Sequence, residues 1–251
     1  MINVNNIRIK FGDNEVLKGI TTTFDRGKIN LIIGQSGSGK TVLLKTIIGL
    51  HEPDEGEIIY DGRVFSGSKS KFKKEIRKEI GMVFQGGALF DSETVEENIM
   101  FPLEMFTNIT LEERLDRANF CLKRVNLENA NHLFPSEISG GMQKRVAIAR
   151  AISLNPKYLF CDEPNSGLDP VTSIVIDNLI KEIAQEYNMT TIINTHDMNS
   201  VIEVGDKIVY IHEGHKWWEG TSEEIFNTNN VELNNFVFAS EKMKKLKFNK
   251  V

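Results

Sequence analysis

The residues Gly34-Gln35-Ser36-Gly37-Ser38-Gly39-Lys40-Thr41 place glycines, a lysine and a hydroxyl at the spacing G-x-x-x-x-G-K-[ST]. Glycines there let successive backbone N–H groups turn inward around phosphate oxygens, where a Cβ would obstruct them. The Lys40 ammonium is suited to reach β- and γ-phosphates, and Thr41 offers a hydroxyl to a magnesium ion. A second chemical group closes the apolar run Tyr158-Leu159-Phe160-Cys161, where Asp162 and Glu163 stand side by side. Paired carboxylates at the end of a buried strand are costly unless a cation or a proton transfer requires them. Asp162 is the candidate for magnesium and Glu163 for polarising an attacking water. Gln85 follows another apolar run, Gly81-Met82-Val83-Phe84, and could coordinate magnesium or hold water. His196 follows Thr191-Ile192-Ile193-Asn194 and is either a structural histidine or a phosphate contact.

These side chains need a sheet whose strands end together. The run Ile29 to Ile33 reads as the strand before the glycine loop. Val42, Leu43, Thr46 and Ile47 continue as a helix whose positive dipole end points at the same oxygens. Ahead of it, Ile7, Ile9 and Phe11 alternate with polar residues, Gly12-Asp13-Asn14 turns, and Ile20, Thr22 and Phe24 resume the alternation. That is an antiparallel β region. Phe11 is either core or a ring at the sheet edge that stacks on a base. Pro53-Asp54-Glu55-Gly56 reads as a turn before the strand Ile58 to Tyr60. Lysines and arginines crowd the stretch from Ser66 to Lys78; a solvated helix face is the default reading and anionic headgroups are the alternative.

The texture then changes. T-x-x-E capping boxes open helices at Thr94 with Glu97 and at Thr110 with Glu113, and Leu111, Leu115, Ala118, Leu122 and Val125 recur at helical intervals as a packing stripe. Ser139-Gly140-Gly141 precedes a strong helix former from Met142 to Arg150, a helix N-terminus that by itself reads as a cap. Asp169-Pro170 reads as an N-cap followed by proline in the first turn, with Ile176, Leu179, Ile180, Ile183 and Tyr187 on the buried face. A hairpin from Ile208 to Trp218 turns at Glu213-Gly214, and a short capped helix starts at Thr221. Beyond Asn227 the Asn- and Lys-rich chain is expected to be loosely held.

Composition narrows the function classes. Hydrophobic residues make up 40% of 251 residues, ordinary for a soluble globular protein of one large or two small domains. No window offers the roughly 20 continuous apolar residues of a membrane span, and the N-terminus does not read as an export signal. Two cysteines, Cys121 and Cys161, are too few for a disulfide framework and point to a reducing cytoplasm. A net charge of -5 argues mildly against nucleic acid as the partner.

In this order, the glycine loop, Gln85, S-G-G before a helix, Asp162-Glu163, S-G-L-D at Ser166 to Asp169, and His196 resemble the ATP-binding subunits of ABC transporters. The resemblance runs from Phe11 to about Phe226. It implies an α/β fold: a P-loop NTPase (ABC ATPase) core with an antiparallel β subdomain and an inserted helical subdomain. The ATPase domain would span residues 1–227, with a core lobe at 1–85 and 152–227, a helical lobe at 86–151 ending in the signature helix, and a tail at 228–251. The resemblance further implies that Phe11 stacks adenine, that Gly34 to Thr41 bind ATP and Mg2+, and that Gln85 senses the γ-phosphate. Asp162 would serve the metal, Glu163 would be the catalytic base, and His196 would touch the γ-phosphate. Ser139, Gly140, Gly141 and Met142 would reach ATP held by a second copy, with the Asp169 loop between the two sites, so that a homodimer is needed for hydrolysis.

A narrower resemblance rests on F-Q-G-G-A-L-F-D-S-E-T-V-E-E-N-I-M-F-P-L from Phe84 and I-S-G-G-M-Q-K-R-V-A-I-A-R-A-I from Ile138. Both look like the Mla type, ATPases that power phospholipid traffic with a membrane permease and an MCE-domain protein, at the cytoplasmic face of the inner membrane. Met142 and the G-A-L-F-D-S run carry it. Glu93, in place of an apolar residue, and Ile138, in place of leucine, depart from it. The rival readings are a transporter ATPase for another small solute, such as an amino acid, and a soluble ABC ATPase acting on DNA or ribosomes. The chain lacks the coiled-coil insertion of DNA-repair members and the second ATPase unit of ribosome-acting ones. A methionine importer would add a C-terminal regulatory domain for which the tail is too short.

Overall fold

A computed structural model of the protein describes residues 1–250. The opening alternation forms β1 (Ile2–Phe11) and β2 (Asn14–Phe24), with Ile2, Val4, Ile7 and Ile9 turned inward. The period slips at Asn5-Asn6, where Asn6 takes φ +49° and the pairing with β2 shifts register, so one bulge keeps both halves of β1 facing the same core. β3 (Ile29–Ile33) is buried at every position and runs into the glycine loop, after which α1 (Lys40–Ile47) begins at the lysine. β4 (Glu55–Tyr60) and β5 (Arg63–Val64) complete an antiparallel sheet in the order β2-β1-β4-β5. β4 starts inside the stretch expected to be a turn. Gly56 allows this, because a Cβ there would come within 2.4 Å of the Asn5 and Asn6 carbonyl oxygens.

The basic stretch becomes α2 (Ser70–Lys78) and leads into β6 (Ile80–Val83). The helical insert follows as α3 (Val95–Phe106) and α4 (Leu111–Arg124), both opened by complete capping boxes, and α5 (Gly140–Ile152), capped by Ser139. On α4 the expected stripe holds at Ala118, Leu122 and Val125 but not at Leu111, which is 56% exposed in the first turn. The chain returns through β7 (Tyr158–Asp162), α6 (Pro170–Glu186), β8 (Thr190–Asn194), α7 (Met198–Val204) and the hairpin of β9 (Lys207–His212) and β10 (His215–Gly220). It ends in α8 (Glu224–Asn227), α9 (Val231–Val237) and α10 (Glu241–Lys250).

The larger sheet has the order β10-β9-β3-β8-β7-β6, with β9, β3, β8, β7 and β6 parallel. Its strands alternate between two cores. Leu31, Leu159, Cys161 and Ile193 pack with α5 and α6, while Ile32, Phe160, Ile192 and Val209 pack with α1 and the antiparallel sheet. Cover on both faces explains why these strands are mainly apolar rather than alternating. The tail is not loosely held: Leu233, Val237, Phe238 and Met243 are buried against the first of these cores. Spacing of apolar residues in a short Asn-rich stretch hid that amphipathic face.

Candidate active site

Because β3, β8, β7 and β6 are parallel neighbours, the segments that follow them emerge at one sheet edge, where ligands bind in open α/β sheets. The glycine loop follows β3, Asp162 ends β7 with Glu163 next, Asn194 ends β8 two residues before His196, and Gln85 lies just past β6. A groove of about 540 Å³ opens there, lined by Val16, most of the residues from Gly34 to Val42, Gln85, Glu163, His196 and Phe236.

In the loop, Gly34, Gly37 and Gly39 take φ of +151°, +79° and +106°. A Cβ on Gly34 would stand 2.2 Å from the Ile211 carbonyl oxygen. Gly39 is the N-cap of α1 and brings no side-chain cap, so no side chain covers the first amides of the helix. Lys40 is buried, with Nζ donating to the carbonyls of Gly34 at 2.8 Å and Gln35 at 2.9 Å. Burial pushes its ammonium below the usual lysine range, and the carboxylates of Glu163 and Asp162 pull the other way.

Glu163 is the meeting point of the polar side chains. Gln85 Nε2 donates to one carboxylate oxygen at 3.3 Å, and His196 Nδ1 lies 3.1 Å from the other. The Glu163 backbone has φ +47°, a left-handed conformation that costs energy in any residue but glycine. It is held there by an N–H bond to the Asn194 carbonyl at 2.9 Å. Asp162 is buried, and burial raises its carboxyl above the usual range against the hydrogen bond it accepts from Asn194. Asn194 Nδ2 also lies 3.2 Å from Thr41 Oγ1, so one amide links the hydroxyl after the lysine to the first carboxylate.

These residues fit a magnesium nucleotide. The loop is a cradle that Cβ atoms would fill, the buried Ser38 Oγ has no partner within the described residues, and Thr41 with Asp162 supplies the hard oxygens magnesium prefers. Two expected contributors stand elsewhere. Phe11 is 48% exposed, its ring edge-on to His51 at 5.4 Å, and lies outside the groove lining. Ser139, Gly140, Gly141 and Met142 share a separate cleft with Arg145, Gly167, Leu168, Asp169 and Thr172. There Ser139 Oγ accepts from Met142 N at 3.3 Å, and Asp169 Oδ1 accepts from Val171 N and Thr172 N at 3.0 Å each.

Other polar residues around the site carried no signal of their role. On α5, buried Lys144 and Arg150 bond the backbone beyond Gln85: Lys144 reaches the Gln85 carbonyl, and Arg150 reaches Gly87 at 2.7 Å and Ala88 at 2.8 Å. Buried Asn98 holds the next loop, accepting from Phe90 N at 2.8 Å and donating to the carbonyls of Phe90, Glu93 and Thr94. Beneath Glu163, Asp177 accepts from Asn165 at 2.7 Å and from Ser200 at 2.6 Å, tying the loop after β7 to α7. A buried polar residue in an otherwise apolar pattern was the one available clue to each.

The family described as ABC transporter matches residues 17–166. The intermembrane phospholipid transport system ATP-binding protein MlaF of Haemophilus influenzae is 38% identical over 239 residues, covering 94% of this chain and 90% of that protein. The methionine import ATP-binding protein MetN 2 of Bacillus licheniformis is 37% identical over 230 residues, 90% of this chain and 67% of that one. A solved dimeric structure of the ATP-binding cassette MJ0796, in a post-hydrolysis state bound to ADP and Pi, superposes with a TM-score of 0.80. It is 35% identical and covers 88% of this chain and 99% of that one. With the cradle, the paired carboxylates and the matching fold together, this chain belongs to the ABC transporter family, as an ATP-binding subunit that hydrolyses ATP with magnesium.

Proposed function

We propose that this subunit powers phospholipid movement through a separate membrane permease together with an MCE-domain protein, working as a homodimer on the cytoplasmic face of the inner membrane. The convergence of Lys40, Thr41, Gln85, Glu163 and His196 on one groove, with Asp162 linked to Thr41 through Asn194, carries the hydrolytic part of the reading. Residues 1–227 are taken as the ATPase unit, with residues 86–151 as its helical lobe.

In this reading the inward amides of residues 34–39 and the Lys40 ammonium hold the triphosphate, and Thr41 and Asp162 hold magnesium. Magnesium, when bound, neutralises charge on the phosphate oxygens. Glu163 accepts the proton of the attacking water, and Gln85 and His196 fix its carboxylate by hydrogen bonds to both oxygens. Burial keeps the Lys40 charge in low dielectric, where it acts more strongly on developing phosphate charge than it would in water. The cleft at Ser139 to Met142 closes over nucleotide held by a second copy, and Phe11 meets the base.

The lipid reading rests on the Phe84 to Leu103 and Ile138 to Ile152 runs and on the likeness to the phospholipid-system protein. The permease would dock at an apolar groove between β6 and α3, where Phe84, Phe90, Phe101 and Phe106 line about 390 Å³ beside Arg150. Lys144 and Arg150 join that region to the backbone of residues 85–88, so a change at Gln85 reaches the docking groove through side-chain-to-backbone bonds. The likeness to the methionine-import protein favours a second reading, an importer ATPase for a small solute. Co-purification from detergent-solubilised membranes separates them. A multi-helix permease with an MCE protein and bound phospholipid is expected; a permease with a solute-binding protein and methionine-stimulated hydrolysis would favour the second. Recovery with ribosomes or DNA would overturn both.

A further inference from the structure

β8, Thr190-Thr191-Ile192-Ile193-Asn194, ends in a polar residue without any exposure. Asn194 is 0% exposed, paired with Asp162 in the sheet register, and its backbone carbonyl already receives the Glu163 N–H at 2.9 Å. Its side chain makes the two contacts that matter most for the neighbouring donors: Nδ2 bonds the Asp162 carboxylate and lies 3.2 Å from Thr41 Oγ1. Oδ1 has no partner within the described residues. A primary amide carries two donors and a carbonyl acceptor, and burying that acceptor without a partner costs stability. Its position between the two candidate metal-holding groups is what an apolar side chain could not reproduce.

We propose that Asn194 is a positioning residue of the magnesium site. It holds the Asp162 carboxylate and the Thr41 hydroxyl in one orientation toward a divalent cation. Groups behind metal ligands fix their orientation, and removing them weakens metal affinity by about 10- to 100-fold. The proposal rests on the assignment of Thr41 and Asp162 to the metal, and the experiment separates the two.

The full chain is loaded with a fluorescent ATP analogue in EDTA to measure metal-free nucleotide affinity. EDTA is then removed by desalting, and Mn2+ binding to the nucleotide complex is followed by electron paramagnetic resonance, with melting temperature as a check on folding. Asn194→Val is expected to raise half-saturating Mn2+ about tenfold with metal-free nucleotide affinity unchanged. Asn194→Asp, of the same shape, sets a second carboxylate beside Asp162. It is expected to melt below the wild-type chain in EDTA and to recover when Mn2+ is added. Thr41→Ala and Asp162→Asn should each weaken Mn2+ binding. If those two weaken it while Asn194→Val stays within twofold of wild type and Asn194→Asp shows no Mn2+-dependent recovery, Asn194 has no part in the site. If Thr41→Ala and Asp162→Asn leave Mn2+ binding unchanged, the metal assignment itself fails and the proposal with it.

Discussion

The groove beside the glycine loop and the cleft at the head of α5 are made of different materials. In the groove, charged and amide side chains bond to one another across strands: Glu163 with Gln85 and His196, Asp162 with Asn194, Asn194 with Thr41. In the cleft, Ser139 and Asp169 are already spent on their own helices. Ser139 caps α5, and Asp169 caps α6 with both oxygens engaged, which holds its carboxyl below the usual range through the Thr172 hydroxyl and amides. What remains for a ligand is a helix N-terminus with two glycines and the Arg145 guanidinium that lines the cleft. One region can move protons and hold a metal. The other offers backbone amides, a dipole and the Arg145 guanidinium, the means to close over an anion held by a second copy.

The largest expected effect tests that division at its reactive end. Glu163→Gln keeps the shape, and the amide can still bond Gln85 and His196, but it cannot accept a proton. Steady-state hydrolysis is expected to fall about 1,000-fold while ATP affinity is unchanged and a dimer accumulates in ATP on size-exclusion chromatography. Near-normal turnover would remove Glu163 from the chemistry. The matching test of the cleft is Gly140→Asp. A Cβ at Gly140 meets only Leu168 Cδ2, at 3.9 Å, so the fold tolerates it, while a carboxylate at that helix N-terminus repels phosphate. Hydrolysis is expected to fall about 100-fold with monomer ATP binding intact. Loss of binding in the monomer would show that the two regions serve one site within a single chain.

A smaller effect concerns the loop between the groove and the helical insert. Asn98→Leu leaves the Phe90 N–H and the carbonyls of Phe90, Glu93 and Thr94 without their side-chain partner. About 2 kcal/mol of stability should be lost in urea denaturation. Basal hydrolysis should survive, but its stimulation by the co-purified permease should not. Retained stimulation would place the docking surface elsewhere.

The glycine loop and Asp162-Glu163 were legible because their chemistry is local: residue types at fixed spacing at the ends of apolar runs. The same locality made the caps at Thr94, Thr110, Ser139 and Asp169 readable. Asn194 was not, since nothing in T-T-I-I-N tells which strand it faces; its meaning comes from β7 and α1 lying on either side of it. Lys144 and Arg150 read only as part of a strong helix former, yet both are buried and bond backbone carbonyls 59 to 63 residues away. The tail was misread for a related reason. Phe236 stacks on Tyr210 at 5.5 Å and reaches the groove lining, a contact set by the β9-β10 hairpin and invisible in composition.

The smallest effect probes the network under the groove. Asp177 is 4% exposed, and burial raises its carboxyl above the usual range. The hydrogen bonds from Ser200 and Asn165 oppose that rise, and the like charges of Asp197 and Glu203 add to it. A folded-state pKa above the unfolded value, about 3.9, means the native chain binds more protons there than the unfolded chain. Its contribution to stability is therefore full below about pH 3.9 and declines as pH rises through the folded value. Asp177→Asn stays neutral at every pH and can still accept from Asn165 while donating to Ser200. Its melting temperature relative to wild type is expected to climb as pH goes from 4 to 8, a shift of a few degrees for about 1 kcal/mol. A difference that is flat across that range would mean Asp177 titrates no differently in the folded chain.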